Sequence, residues 1–194
     1  MLKKSFLLIA FVLVLDQLLK VWIKTNMMIG QEIHFLDWFI IHFTENNGMA
    51  FGMEFGGNLG KYILSIFRII AIVAISIYWL KLANTHVKKG IIYSVSLILA
   101  GAIGNMIDSA FYGMIFSESY GQTATVFEGG YSSFLQGKVV DMFYFPLING
   151  HFPKWFPFVG GNHFIFFRPI FNIADAAITT GVINILIFHR SFFK

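Results

Sequence analysis

The chain has 194 residues, of which 57% are hydrophobic and only 12% carry a charge. Soluble domains usually carry about 25% charged residues, so the composition excludes an ordinary soluble domain and predicts an integral membrane protein with one domain over residues 1–194. The net charge is +4, but the basic residues are dispersed beside apolar runs, which argues against a nucleic-acid partner. Because the sequence contains no cysteine, a thiolate nucleophile and a Cys-ligated metal site are excluded.

Four apolar stretches predict transmembrane helices. The predicted spans cover residues 6–23, 62–80, 91–111 and 169–188. The first span is similar to a signal peptide, but it lacks an A-x-A cleavage pattern, so we expect a retained helix. The fourth contains Asp175, and an ionisable group in such a segment usually faces a protein interior and serves chemistry or transport. Asn172, Asp175 and Thr179 are spaced to share one face of that helix.

The first long connection, residues 24–61, predicts a small β region. Glu32–Phe43 is rich in aromatic and β-branched residues, which is typical of a strand. Asn46, Asn47 and Gly48 then predict a turn, and a glycine-rich link follows from Gly56 to Gly60.

The second long connection, residues 112–168, is rich in glycine and aromatic residues. Val139–Phe145 predicts a strand that carries Asp141. The aromatic residues from Phe143 to Phe167 suit the headgroup layer of a membrane. One hypothesis is that the aromatic outer segments form a clamp at the membrane surface.

Lysine and arginine are distributed unevenly between the connections. The N-terminus, the loop of residues 81–90 and the C-terminal tail carry seven of these residues and no acid. By the positive-inside rule both termini are therefore cytoplasmic, and both long connections lie outside a bacterial cytoplasmic (inner) membrane. The predicted fold is a mainly α membrane protein, a four-transmembrane-helix bundle with a small extracytoplasmic β region and long outer loops.

This orientation brings polar residues from five separate stretches to one depth, near the outer membrane surface. They are Asp16, Lys20, Asn46, Asn105, Asp108, Asp141, Asn172 and Asp175. Asp16 and Lys20 stand at i and i+4, the spacing of a structural salt bridge, and Asp108 has the position of a helix cap or a loop anchor. The three asparagines either satisfy backbone groups or position a substrate. The sequence thus predicts one polar site with both structural and chemical members.

Asp141 and Asp175 are the candidates for catalysis. The only basic residue within four positions of either is Lys138, which would point to the opposite face of the strand from Asp141. Two carboxylates brought together at low dielectric share a proton, which is how aspartic peptidases activate water. Coupling to a proton or cation in a small transporter is the alternative, and a structural role is the third. The sequence contains neither H-E-x-x-H nor G-x-S-x-G, so it offers no zinc-protease or serine-hydrolase motif.

Five motifs in order resemble bacterial lipoprotein signal peptidase (signal peptidase II). They are DQLLK at Asp16–Lys20, NNGMAF at Asn46–Phe51, GAIGNMID at Gly101–Asp108, KVVDMFYF at Lys138–Phe145 and FNIADAAI at Phe171–Ile178. The resemblance implies a membrane aspartic peptidase whose catalytic pair is Asp141 and Asp175. It implies that the remaining polar positions shape the site or bind substrate: Asp16, Lys20, Asn46, Gly48, Asn105, Asp108 and Asn172.

The same resemblance implies the substrate and the inhibitors. The substrate would be a prolipoprotein whose lipobox cysteine carries diacylglycerol, cut on the amino side of that cysteine within the membrane lipid. No metal or organic cofactor is expected, and globomycin-type cyclic peptides would occupy the site.

This sequence departs from the family pattern in two respects. Ser109 stands where the family usually has arginine, and Arg168 and Lys138 are the candidates to supply that charge. The connections from Asp108 to Asp141 and from Asp141 to Asp175 are longer than the family's usual links.

Overall fold

The protein is described by a computed structural model over residues 1–48, 57–85 and 87–189, without the side chain of Asn58. In chain order the elements are α1 (Leu2–Asn26), β1 (Glu32–Leu36), β2 (Phe39–Asn46), α2 (Gly57–Ala83), α3 (Lys89–Ile107), β3 (Val139–Tyr144), β4 (Ile148–His151), β5 (His163–Phe166), β6 (Ile170–Phe171) and α4 (Ile173–Phe188). Helix α3 continues through a π-helical turn at Asp108–Tyr112 and a short turn at Gly113–Ile115. A π-helical turn inside a longer helix is frequent at functional sites.

Three helices in the described ranges are long and apolar enough to cross a membrane: Leu2–Asn26, Leu59–Ala83 and Lys89–Ile115. Their outer surfaces are strongly apolar, and on α2 the side chains of Ile63 and Phe67 are 68% and 66% exposed. So much exposed apolar surface is not tolerated in water, but it suits contact with lipid. The first three predicted spans are therefore confirmed as helices, each extending a few residues beyond its predicted limits.

The fourth apolar helix is shorter than the sequence predicts. Residues 169–172 do not join it, because Ile170 and Phe171 pair with β3 as strand β6 and Asn172 caps the helix. The 16 residues of α4 rise about 24 Å, which is less than the roughly 30 Å of bilayer hydrocarbon. Asn172 is therefore the residue before the first turn of α4, and it does not share a helical face with Asp175 and Thr179 as the spacing predicts.

Helix α3 lies against α4 at close range, as its small residues predict. A Cβ atom added at Gly101 would lie 2.2 Å from the carbonyl oxygen of Ala174, and one added at Gly181 would lie 2.5 Å from the carbonyl oxygen of Ser94. No larger residue fits at either position without moving a helix backbone. The glycines thus permit the contact that positions the start of α4.

Replacing Gly101 with valine should separate α3 from α4. We expect the free energy of unfolding to fall by about 1–3 kcal/mol, the usual cost of overpacking, because backbone and not a flexible side chain must move. Thermal unfolding in detergent measures this effect. Ala102→Val is the matched control, since it adds a β-branched side chain at the next, half-buried position. Equal losses in the two variants would contradict the proposed close contact.

The strands form a four-stranded antiparallel sheet with the order β1-β2-β3-β6 and a separate antiparallel pair of β4 and β5. The predicted strand Glu32–Phe43 is instead a hairpin of two strands that turns at Asp37–Trp38, and β2 runs on to Asn46. The predicted strand at Val139–Phe145 is confirmed and lies between β2 and β6. Gly57–Gly60, predicted as part of a link, instead begins α2, while Met49–Gly56 lies outside the described residues.

The chain between α3 and β3 packs onto this sheet through a buried lysine. Lys24 forms an ion pair with Glu45 and donates a hydrogen bond of 3.0 Å to Ser119 Oγ. Its ammonium also lies 5.5 Å and 5.0 Å from the ring centres of Phe116 and Tyr131. These contacts connect the chain between α3 and β3 to β2, the strand that ends at Asn46.

Candidate active site

Strand β3 and the first turn of α4 carry the two candidate catalytic acids. Asp141 lies in the central strand, opposite Thr44 of β2. Asp175 lies at the third position of α4, where its Oδ2 accepts a hydrogen bond of 3.3 Å from the backbone nitrogen of Asn172. Asn172 Oδ1 in turn accepts one of 2.9 Å from the backbone nitrogen of Asp175. This reciprocal capping box fixes Asp175 at the end of the helix where a negative charge is stabilised.

Two side-chain amides connect the acids. Asn172 Nδ2 donates to Asp141 Oδ1 over 2.6 Å and to Asn105 Oδ1 over 3.1 Å. Asn105 Nδ2 donates to Asp175 Oδ1 over 2.8 Å. A continuous hydrogen-bond chain therefore runs from one carboxylate to the other. Both asparagines bind the acids directly, rather than serving only backbone groups.

A third amide reaches Asp141 from the turn after β2. Asn46 Nδ2 donates to Asp141 Oδ2, and Asn46 Oδ1 accepts a hydrogen bond of 2.5 Å from the backbone nitrogen of Gly48. Gly48 has a φ of +83°, a conformation that glycine adopts without steric cost. The predicted turn is therefore present, and its geometry holds Asn46 against the candidate acid.

Behind the acids lies a buried cluster around Lys20. The ammonium of Lys20 lies 2.9 Å from Asp16 Oδ2, 2.8 Å from Asp108 Oδ2 and 2.9 Å from Asn105 Oδ1. The side chains of Lys20 and Asp108 are 0% exposed. Two buried carboxylates thus share one ammonium, and removal of that cation would leave both without a charge partner. The predicted i, i+4 pair is present, with Asp108 added from α3.

The cluster also holds the two segments that carry the candidate acids. Asp16 Oδ1 accepts a hydrogen bond of 2.9 Å from the backbone nitrogen of Ala174, next to Asp175. Asp108 Oδ2 accepts one of 3.2 Å from the backbone nitrogen of Val140, next to Asp141. Asp16 and Asp108 therefore position β3 and α4 relative to each other.

Gln17 also belongs to this cluster, although its residue type and spacing do not predict a role in the site. Its Nε2 lies 3.0 Å from Asp108 Oδ1 and 3.1 Å from Asp16 Oδ2, and its Oε1 accepts from the Tyr112 hydroxyl over 3.2 Å. The only signal in the sequence is its place beside Asp16 in DQLLK. Two of its partners, Asp108 and Tyr112, lie in the π-helical turn after α3, so the tertiary structure is needed to identify its role.

Arg68 of α2 supplies the charge beside Ser109. Its Nη1 donates to Ser109 Oγ over 3.3 Å, and its Nη2 donates to the carbonyl oxygen of Gly48. Lys138, a predicted source of this charge, instead has its ammonium 3.7 Å from both Glu45 Oε2 and Glu118 Oε2. Arg168, the other predicted source, lies on the wall of the cleft described next. The positive charge beside Ser109 thus comes from Arg68 and not from Arg168 or Lys138.

A cleft of about 890 Å³ opens at this point. Its lining residues come from β2 and the turn after it, α2, α3, β3, the segment that leads into α4 and the first turn of α4: Thr44, Glu45, Asn46, Gly48, Arg68, Asn105, Val139, Asp141, Arg168, Pro169, Ile170, Phe171 and Asp175. Among the described residues, neither Asp141 nor Asp175 forms an ion pair. Both carboxyl groups therefore lie on the wall of the same cleft, and within the described residues neither has a cation as its ion-pair partner.

The environment of Asp141 favours its neutral form. Burial raises the pKa of Asp141 to about 8, and the nearby charge of Asp175 acts in the same direction. The charge of Lys20 and the hydrogen bond from Asn172 oppose this rise without cancelling it. At neutral pH the Asp141 carboxyl group is therefore protonated, next to a second acid on the same cleft.

The structure connects all nine residues selected from the sequence. Hydrogen bonds and ion pairs link Asp16, Lys20, Asn46, Gly48, Asn105, Asp108, Asp141, Asn172 and Asp175. Within the described residues, no group of three His, Asp or Glu side chains is arranged to hold a metal ion. The arrangement is suited to acid–base chemistry by two carboxyl groups.

Several known proteins are similar to this chain. A lipoprotein signal peptidase of Porphyromonas gingivalis is 52% identical over 184 residues, which are 93% of this chain and 80% of that protein. One from Amoebophilus asiaticus is 40% identical, with coverage of 92% and 74%, and one from Staphylococcus aureus is 31% identical, with coverage of 94% and 85%. A solved bacterial membrane enzyme, determined in meso at 1.9 Å resolution, superposes with a TM-score of 0.62 at 28% identity, covering 96% of this chain and 92% of that one.

The family comparison covers nearly the whole chain. The profile of signal peptidase (SPase) II matches residues 8–192, a range that includes both candidate acids and every member of the Lys20 cluster. With this match and the close relatives above, the chain belongs to the signal peptidase II family, and it is a membrane aspartic peptidase of the lipoprotein signal peptidase type.

Proposed function

We propose that the chain removes signal peptides from diacylglyceryl-modified prolipoproteins and that Asp141 and Asp175 activate the attacking water. The observation that carries this proposal is the amide chain through Asn172 and Asn105, which joins the two carboxyl groups at the wall of one cleft. The alternative of a proton-coupled transporter does not account for membership of a peptidase family.

In the proposed mechanism the two acids have different roles. Asp175, at the positive end of α4, is the ionised member and accepts a proton from water as the water attacks the scissile carbonyl. Asp141 is the neutral member and gives its proton to the carbonyl oxygen as the water adds, so that a neutral gem-diol forms instead of an oxyanion. Each oxygen of Asp141 accepts an amide hydrogen and still has a second lone pair, so protonation is compatible with these contacts. As the C–N bond breaks, Asp175 gives its proton to the departing amine and Asp141 recovers a proton from the gem-diol, which becomes the carboxylic acid product.

The proposed topology follows from charge and from the position of the cleft. We propose four membrane-spanning helices with cytoplasmic termini in one domain over residues 1–194, and a sheet at the outer face of the bacterial cytoplasmic membrane. Local thinning of the bilayer would accommodate the short helix α4. Asp175 lies in the first turn of α4, so it would lie where that helix enters the bilayer. A diacylglyceryl chain can then stay in lipid while the peptide bond enters the cleft, and such positioning lowers the entropic part of the barrier. Globomycin-type inhibitors would compete for the same cleft.

Cleavage by the purified protein tests this function. The substrate is a precursor that carries diacylglycerol on its lipobox cysteine, and the matched control is the same precursor without the lipid. We expect one cut on the amino side of the modified cysteine, identified by mass spectrometry, and little cleavage of the unmodified precursor. A folded protein that cuts neither precursor, or that dissipates a pH gradient in vesicles instead, would contradict the proposal.

The pKa of Asp141 predicts how activity depends on pH. If Asp141 acts as the neutral acid, kcat/KM should fall as pH rises through about 8, the pKa at which this carboxyl group ionises in the protein without substrate. The same shift makes folding stability fall with rising pH between the usual Asp range and about 8, because over that window the unfolded state releases a proton that the folded state retains. Initial rates and urea unfolding across this range measure the two effects. A rate that rises steadily above this pH would contradict a neutral Asp141.

Arg68 provides a test of how the Asn46 turn is held. Arg68→Ala removes the hydrogen bonds to Gly48 and Ser109, and we expect kcat to fall by up to about 100-fold, because small displacements at a reacting centre are costly. Arg68→Lys should recover only part of the rate, since lysine lacks the planar fork that serves both partners. Lys138→Ala is the control for loss of a positive charge. Full activity of Arg68→Ala would show that the turn needs no support from α2.

A further inference from the structure

The hairpin formed by β4 and β5 presents large aromatic side chains to its surroundings. Trp155 is 78% exposed and Phe158 is fully exposed at the end of this hairpin. Phe158 also has a φ of +66°, a conformation that is rare for a bulky residue. A strained backbone that directs an aromatic ring into water has two unfavourable features, and a partner that covers the ring would remove one of them.

The charges of this segment are all of one sign. Residues 142–174 contain Lys154 and Arg168 as their charged residues, with no aspartate or glutamate, and they also contain His151 and His163. Aromatic rings interspersed with basic groups match a membrane interface, where rings lie at headgroup depth and anionic lipids attract lysine and arginine. An acidic protein surface would pair with the basic residues of the hairpin, but it would not explain the exposed aromatic rings at the end of the hairpin. The combined pattern favours anionic lipid.

A series of ring contacts connects the base of the hairpin to the start of α4. The ring centre of Phe171 lies 6.0 Å from that of Phe167 and 5.7 Å from that of Phe145, and Phe145 lies 6.3 Å from Trp38. Phe171 is two residues before the first residue of α4. The base of the hairpin is therefore close to the start of this apolar helix, which is the expected depth of a membrane boundary.

We propose that the β4–β5 hairpin is an interfacial anchor that binds an anionic outer leaflet. Trp155 and Phe158 enter the boundary between headgroups and acyl chains, while Lys154 and Arg168 contact lipid phosphates. This inference rests on the proposed topology, in which the sheet lies at the outer face. Arg168 also lines the cleft, so lipid contact would hold one wall of the site at the depth of a lipid-anchored substrate.

Site-directed spin labelling of the full chain tests this anchor. The chain has no cysteine, so Phe158→Cys gives a single labelling site without further changes. Tyr120→Cys is the control for an exposed aromatic position in the other insertion, where the neighbouring charge is the acidic Glu118, and Phe67→Cys is the control for a lipid-facing position on α2. The protein is reconstituted in phosphatidylcholine vesicles with and without phosphatidylglycerol. Collisions of the label with oxygen and with a water-soluble nickel chelate then report its depth.

We expect the label at position 158 to be protected from the nickel chelate and accessible to oxygen, and to lie deeper when phosphatidylglycerol is present. Lys154→Gln in the same background should lower the ratio of inserted to exposed hairpin about fivefold in vesicles with phosphatidylglycerol, so the label should become more accessible to the chelate. This is the usual effect of one basic residue near an anionic surface. A label as accessible to the chelate as that of Tyr120→Cys in both membranes would overturn the anchor. Protection that appears only after a prolipoprotein is added would also overturn it and assign the hairpin to substrate binding. Because depth is measured without cleavage, this result is independent of whether the proposed peptidase reaction occurs.

Discussion

Cleavage of a lipid-modified precursor is expected to be lost when either Asp141 or Asp175 is replaced with asparagine. Each replacement keeps the shape of the side chain but removes a group that can exchange a proton, and such groups contribute about 10²–10⁴-fold to a rate. Asp175→Asn removes the proposed base. Asp141→Asn keeps a neutral hydrogen-bonding group but cannot take part in proton transfer. Single-turnover cleavage with detection by mass spectrometry measures both losses.

The matched control is Asp37→Asn, which makes the same change at an exposed turn between β1 and β2. We expect it to retain full activity. Both site variants must also unfold at temperatures close to the parent protein, so that lost activity is not lost structure. Normal cleavage by either folded variant would exclude the proposed pair. Cleavage that is slowed less than about 10-fold but not normal in Asp141→Asn alone would restrict the essential proton transfer to Asp175, since a group that exchanges a proton contributes about 10²–10⁴-fold.

Lys20→Met should produce the largest loss of stability. The substitution removes the ammonium that lies between Asp16 and Asp108 and leaves two buried carboxylates without a cation. Breaking a buried ion pair in this way costs about 3–5 kcal/mol. For a chain of this size we therefore expect Tm to fall by roughly 6–20 °C. Differential scanning fluorimetry in detergent measures the change.

A double variant separates electrostatics from packing. Lys20→Met combined with Asp108→Asn should recover part of the lost stability, because only Asp16 then lacks a charge partner. Lys138→Met is the control, since that lysine is 31% exposed and its ion pairs are long. Glu45 keeps its ion pair with Lys24 in this variant, and the pair with Glu118 is solvent-exposed, a kind that contributes about 0–1 kcal/mol, so Tm should change little. Equal Tm values for Lys20→Met and Lys138→Met would show that the buried cluster does not stabilise the fold.

Local rules explain why much of the fold is predictable. Long apolar segments form helices in a membrane because lipid offers no hydrogen-bond partners, and a helix satisfies its backbone groups within the segment. Helices α1, α2 and α3 follow this rule, and β3 follows from its β-branched and aromatic residues. The start of α4 does not, because pairing of Phe171 with Phe143 competes with helix formation. Hydropathy does not report such competition, which depends on a strand about thirty residues earlier in the chain.

The partners of the site residues are harder to predict than their identities. Spacing places Asp16 and Lys20 on one helical face, but the contact of Lys20 with Asp108 depends on how α1 and α3 pack. In the sequence, Arg68 is an isolated charge in an apolar helix. Its hydrogen bond to Ser109 depends on how α2 is rotated about its own axis. Gln17 is unnoticed for the same reason.

Membrane character, the candidate acids and the order of the motifs follow from residue types and their spacing, because insertion into lipid and helical periodicity are local properties. Only the folded arrangement reveals that Asn172 and Asn105 join the two acids, that Arg68 supports the Asn46 turn, and that burial raises the pKa of Asp141 to about 8. Desolvation and hydrogen bonding depend on which groups meet in space. In this protein those groups come from segments as far apart as residues 16 and 174.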